Sequence, residues 1–143
     1  MKVKMVSKSG RYPAYQTEGS SGMDLQAFLT EDLVFQPGER KAVPTGLFME
    51  LPQGYEAQIR ARSGLSLKFG MTLVNGVGTI DSDYRGEIKV AMINLGQEPY
   101  TIHDGDRIAQ MIVARYERVD WQPADSLEET ERGEGGFGHT GKE

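Results

Sequence analysis

Cysteine is absent from the 143-residue chain, which rules out disulfides and thiol catalysis and suits a reducing cytoplasm. Histidine is scarce: His103 and His139 are the only two, too few for a zinc site. No apolar run approaches the ~18 residues of a membrane helix, and Met1 to Val6 alternates lysines with apolar residues where a signal peptide needs a continuous apolar core. Positive charge is also in deficit, with 16 Lys+Arg against 21 Asp+Glu and a net charge of −5. Such a surface lacks the footprint of a nucleic-acid binder, and it repels a polyanionic ligand unless basic groups cluster or a metal intervenes. These absences predict a soluble cytoplasmic protein without membrane or nucleic-acid partners. Glycine, by contrast, is plentiful: 18 residues, about 13 per cent against a usual ~7 per cent. That excess signals many turns, or backbone brought close to a ligand, and excludes a helical bundle.

Short alternating segments recur between turn signals. Lys2 to Val6, Leu33 to Phe35, Lys41 to Val43, Leu47 to Leu51, Tyr55 to Arg62, Glu87 to Leu95 and Arg107 to Tyr116 read as strands, separated by Pro37-Gly38, Pro52-Gln53-Gly54 and Asp104-Gly105. Strands at that spacing predict an all-β fold, a jelly-roll-like antiparallel β-barrel. Ser63 to Phe69 has the composition of one short helix. From Leu127 the chain turns acidic, then runs through Gly133-Glu134-Gly135-Gly136-Phe137-Gly138-His139-Thr140-Gly141, too rich in glycine for a stable strand or helix. The expected organisation is a barrel over residues 1–126 and a flexible C-terminal arm over 127–143. A glycine-rich terminus is ordinarily disordered; a large aromatic, Phe137, set among the glycines beside Arg132 argues for a use.

Two partial motifs fail on inspection. Gly136 to Lys142 matches the start of a phosphate-binding loop, but Glu143 follows where Ser or Thr belongs. Asp81-Ser82-Asp83 begins like a calcium loop, yet Arg85 and Met92 occupy ligand positions. Five other segments carry more. Ser20 to Ala27 is a small-residue turn feeding a strand with one acid, Asp24; an Asp there is ordinarily a turn former. Arg62-Ser63-Gly64-Leu65-Ser66 ends a strand at an arginine and opens a helix, an arrangement able to hold an anion, although Ser is also a common N-cap. Asn75 to Glu87 reads as a glycine-rich hairpin with an amide at one end and Asp81 and Tyr84 at the other, whose backbone could read the edge of a planar base. Gly105 to Ile112 holds Gln110 in an otherwise apolar strand, and the fifth segment is the tail.

In this order and spacing, over nearly the whole chain, the five segments resemble the five motifs of the trimeric dUTP pyrophosphatase family, bacterial type. Arg62-Ser63-Gly64-Leu65-Ser66, Ile80-Asp81-Ser82-Asp83-Tyr84-Arg85-Gly86 and Arg132-Gly133-Glu134-Gly135-Gly136-Phe137-Gly138 are the most specific. The resemblance implies hydrolysis of dUTP to dUMP and pyrophosphate, supplying the dTMP precursor and keeping uracil out of DNA. It gives Asp81 the role of general base, orienting a water toward the α-phosphorus, and leaves Asp83 to hold the turn. Asn75 and the backbone of Gly78, Thr79, Ile80 and Asp81 would bind uracil, Tyr84 would pack on deoxyribose where a 2′-hydroxyl would clash, and Lys89 joins the base and sugar contacts. Arg62, Ser63, Gly64 and Gln110 would grip the phosphates. Mg²⁺ would sit on the three phosphate groups with Asp24 reaching its waters, which also offsets the acidic charge of the protein. The tail would close as a lid, Phe137 stacking on uracil and Arg132, Gly136, His139 and Thr140 meeting the phosphates. His139 departs from the family's more usual Ser. The family assembles as a homotrimer, each site combining Asp24, Arg62 to Gly64 and Gln110 from one chain, the hairpin from a second and the tail from a third. Two rivals share the scaffold: a dCTP deaminase-like enzyme, whose hairpin lacks the Asp-x-Asp-Tyr arrangement, and a non-catalytic nucleotide-binding module, which would not need Asp81 or the tail.

Overall fold

Alternation decides which face of each strand is buried. In the computed structural model, which describes residues 1–142, Lys89–Asn94 buries Val90, Met92 and Asn94 on one face, while Arg107–Arg115 buries Ile108, Ala109 and Met111. In chain order the elements are β1 (Lys4–Ser7), β2 (Ala14–Tyr15), β3 (Met23–Gln26), β4 (Leu33–Phe35), β5 (Arg40–Pro44), β6 (Leu47–Glu50) and β7 (Tyr55–Arg60). Then follow the helix α1 (Ser63–Phe69), β8 (Met71–Leu73), β9 (Gly78–Ile80), β10 (Lys89–Asn94), β11 (Tyr100–Ile102) and β12 (Arg107–Arg115). The main sheet has the order β2-β3-β12-β7-β9; a second runs β5-β10-β8, and β1-β6 and β11-β4 form two-stranded pairs. Every pairing is antiparallel, so the all-β, jelly-roll-like expectation holds.

One buried core, with Phe35, Leu25, Ile59, Met92, Ile102 and Met111 among its largest members, fills the space between the sheets. Buried Asn94 is fully employed there: its amide donates to the carbonyls of Phe35 (3.0 Å) and Glu98 (2.8 Å) and its oxygen accepts from Gly96 N (2.8 Å). The helix matches its expected bounds, with Arg62 at the N-cap and no side-chain capping bond, so Ser63 is its first residue rather than its cap. Gly70 ends it in the left-handed region (φ +72°), against the backbone of Gly96.

One expectation is corrected. Asn75 to Glu87 does not close as a ladder-paired hairpin: β9 pairs with β7, whereas β10 pairs with β5 and β8. The segment therefore crosses between sheets, turning at Asp81 to Tyr84, where Tyr84 N donates to the Asp81 carbonyl (3.1 Å). Beyond β12 the chain continues without strand or helix, and nearly every residue from Glu117 to Lys142 is exposed. Glu143, the last residue of the expected arm, lies outside the described residues.

Candidate active site

β12 is the spine of the first cluster. Gln110 stands opposite Asp24 of β3 on one side and Arg60 of β7 on the other. Its amide nitrogen donates to the Ala61 carbonyl (3.2 Å), and a Cβ on Gly22 would meet its Oε1 at 2.6 Å, so glycine at 22 is what lets the amide lie there. Asp24, with 17% of its side chain exposed, faces two guanidinium groups: Arg62 Nε at 3.5 Å and Arg107 Nη1 at 3.4 Å. Arg62 also donates to the Arg107 carbonyl (3.0 Å). Asp24, Arg62 and Gln110 thus converge, with Ser63 and Gly64 following on the helix, and the locally basic group that an acidic chain needs for an anion is present. Arg107 was not foreseen; an arginine beginning a strand carries no signal until its partner across the sheet is known.

The second cluster surrounds a cavity of about 460 Å³. Asn75, Gly78, Thr79, Ile80, Tyr84 and Lys89 line it together with Asp81, over a floor of Ile59 and Phe48. Gly78 keeps the strand close, since a Cβ there would lie 3.2 Å from Ile59 and 3.4 Å from the Asn75 amide. Asp81 also borders a larger cavity of about 540 Å³, shared with Asp83 and Arg85. Of the two acids only Asp81 reaches the smaller cavity as well. Glu87 lines it as well, a residue the sequence did not single out.

Asp81 and Arg62 are well separated within one chain. Asp81 follows Ile80, which pairs with Ala57, whereas Arg62 lies beyond Arg60 at the other end of β7. The strand rises roughly 13 Å over the four residues from Glu56 to Arg60. The third group, the tail, makes its described backbone hydrogen bonds within itself, joining Thr130 to Gly133, Arg132 to Gly135, Gly136 to His139 and Gly138 to Gly141. Arg132 Nε donates to the Gly135 carbonyl (2.7 Å), His139 lies over Gly135, and Phe137 is fully exposed with φ +52°. Gly136 and Thr140 lie in the same turn-rich stretch, with Gly136 half-buried and Thr140 exposed.

A family model described as dUTPase matches residues 8–141, so three separated clusters and the fold fall within a single family pattern. The chain belongs to the dUTPase family. It is 56% identical over 142 residues, 99% of each chain, to the deoxyuridine 5′-triphosphate nucleotidohydrolase of Finegoldia magna. It is 55% identical over 129 residues to that of Orientia tsutsugamushi, covering 90% of this chain and 87% of the other. Among solved structures, the Staphylococcus bacteriophage 80alpha dUTPase with dUPNHPP has a TM-score of 0.85 at 26% identity, covering 98% of this chain and 97% of that one. A mutant dUTPase from phage phi11 of S. aureus, described for the coordination of a structural Mg(II) ion, matches in fold at TM-score 0.79 and 20% identity, covering 89% of this chain and 99% of that one.

This dUTPase-family chain has no group of three or more His, Cys, Asp or Glu placed to hold a metal among its described residues. A single carboxylate between two arginines fits an ion carried by a ligand's own oxygens and reached through water, and does not fit a protein cage. Among those residues, no helix is long and apolar enough to cross a membrane.

Proposed function

We propose that the chain hydrolyses dUTP to dUMP and pyrophosphate, with Mg²⁺, in homotrimers whose sites draw on three subunits. The observation that carries this is Asp81 on the wall of a polar cavity whose other walls are Asn75, the β9 backbone and Tyr84. A carboxylate held there can accept the proton of a water as it attacks the α-phosphorus, the phosphorus–oxygen bond to the pyrophosphate leaving group breaking opposite. Asn75 and the backbone of Gly78 to Asp81 pair with the uracil edge, whose donor–acceptor pattern cytosine inverts. Tyr84 covers the deoxyribose and Lys89 flanks it. Arg62, Ser63, Gly64 and Gln110 hold the phosphates, and Asp24 reaches the waters of the metal. Mg²⁺, held through its waters by Asp24, would supply charge neutralisation on the phosphates.

Three subunits account for a chain that separates Asp81 from Arg62 along β7 and leaves Phe137 fully exposed. Residues 127–143 then act as the arm that brings Phe137 onto uracil and Arg132, Gly136, His139 and Thr140 onto phosphate, excluding water on closure. A chain without cysteine suits the reducing cytoplasm. The test is pyrophosphate release from dUTP, with dCTP and UTP as controls and with Mg²⁺ or EDTA. Release from dUTP alone, abolished by EDTA, is expected. Ammonia from dCTP would favour the deaminase-like rival, and binding without turnover the non-catalytic one.

A further inference from the structure

Tyr84 is tied at its far end. Its hydroxyl donates to the Glu87 carbonyl (2.8 Å), while its backbone N–H closes the turn onto Asp81. An exposed tyrosine ordinarily hops between rotamers on the ps–ns scale, and in Tyr84, 43% exposed, the hydroxyl bond favours one of them. Gly86 completes the restraint. A Cβ there would stand 2.5 Å from Tyr84 Cζ and 2.8 Å from Cε1, and closer still to the hydroxyl. The φ of Gly86 lies outside the left-handed region, so the backbone torsion does not demand glycine; the ring above it does. Glu87 is itself fixed, its carboxylate accepting from Gly46 N (3.0 Å) while the next residue, buried Ile88, donates to the Leu47 carbonyl (2.8 Å).

We propose that Gly86 and the Glu87 carbonyl are specificity-determining positioning groups that hold the Tyr84 ring in one place on the cavity wall, so that a ribose 2′-hydroxyl finds no room. This rests on Tyr84 being the residue that covers the sugar, as in the proposed function. An alanine at 86 is cheap for folding, because the clashing atoms are the tip of a side chain that can swing aside. The swing is the cost: it opens the slot that the ring had filled.

The test compares Gly86→Ala, Tyr84→Phe, Tyr84→Ala and the double variant Gly86→Ala/Tyr84→Ala with the parent protein. Calorimetry gives affinity for dUpNHpp and its ribonucleotide counterpart with Mg²⁺, and kcat/KM is measured on dUTP and UTP. Gly86→Ala is expected to lower the deoxy-over-ribo preference by about tenfold or more, since displacements of ~1 Å have effects of that order. Tyr84→Phe, which keeps the ring and loses its tie, lowers the preference by less. The double variant is no less selective than Tyr84→Ala alone, because Gly86 acts through the ring. An unchanged preference in Gly86→Ala, or an additive double variant, overturns the proposal; should Gly86→Ala fail to fold, an unchanged preference in Tyr84→Phe overturns it equally. A parent protein that prefers the deoxy analogue but releases no pyrophosphate overturns the hydrolytic reading instead, and the binding ratios still decide the role of Gly86.

Discussion

The carboxylate of Asp24 lies 3.5 Å from Nε of Arg62, with Arg107 on its other side at 3.4 Å. Contacts of that length on a partly solvated pair hold little stability, so their value is in placing charge. Asp24→Asn is therefore expected to melt close to the parent temperature while raising the Mg²⁺ concentration for half-maximal pyrophosphate release about tenfold or more, the usual effect of losing an outer-sphere partner. An unchanged Mg²⁺ titration curve would remove Asp24 from the metal's surroundings.

Asp81 and Asp83 stand two apart in one turn, yet only Asp81 faces both cavities. Asp81→Asn is expected to retain affinity for dUpNHpp and lose about 10²-fold or more in turnover, the range of a general base. Asp83→Asn should stay near the parent rate. Single-turnover kinetics on both variants decide it, and a dead Asp83→Asn beside an active Asp81→Asn would reverse the assignment.

Arg11, which lines a small pocket with Asp24, grips Asp104 with both terminal nitrogens (2.9 and 3.1 Å), and Leu29 N donates to the same carboxylate (2.9 Å). These bonds, the arginine's first, pull Asp104 down from 3.8 to about 2. In the acid range the unfolded chain then binds a proton that the folded chain refuses, so the contribution is complete above about pH 4 and disappears as the pH falls toward 2. Asp104→Asn should lower the melting temperature at pH 7 by an amount that shrinks between pH 4 and 2. A constant deficit across that window would assign the loss to packing.

The long strands and the helix were legible because each carries enough residues to show its character: β7 alternates over six residues, β12 is a nine-residue run that is apolar between its terminal arginines except at Gln110, and α1 ran to its expected bounds. Strands β2, β8, β9 and β11 span two or three residues, too few for alternation to register. Periodicity also reports faces rather than partners, which is why Asn75 to Glu87 read as a hairpin although its two limbs join different sheets. Asp81 and Tyr84 were singled out by their motif, and both line one cavity. Arg107 and Glu87 were not: one acts on Asp24 across the sheet and the other offers a backbone carbonyl to Tyr84, and neither relation has a signature in sequence.

The three-subunit site can be tested with two inactive proteins. One is Asp81→Asn, with a dead catalytic turn and an intact tail; the other ends at Glu131 and keeps the turn. The described hydrogen bonds of the tail stay within it, so the shortened chain should fold, with a melting temperature near that of the parent. Unfolded and refolded together in equal amounts, the two chains assort at random into closed trimers. Any mixed trimer then holds one site in which an intact turn and an intact tail come from different chains. About three quarters of random trimers are mixed and each gains one site in three, so activity should return to about 25 per cent of the parent's. If turn and tail of a site belonged to the same chain, no site would be whole and the mixture would stay inactive. That result would overturn the sharing of sites between subunits while leaving membership of the family untouched.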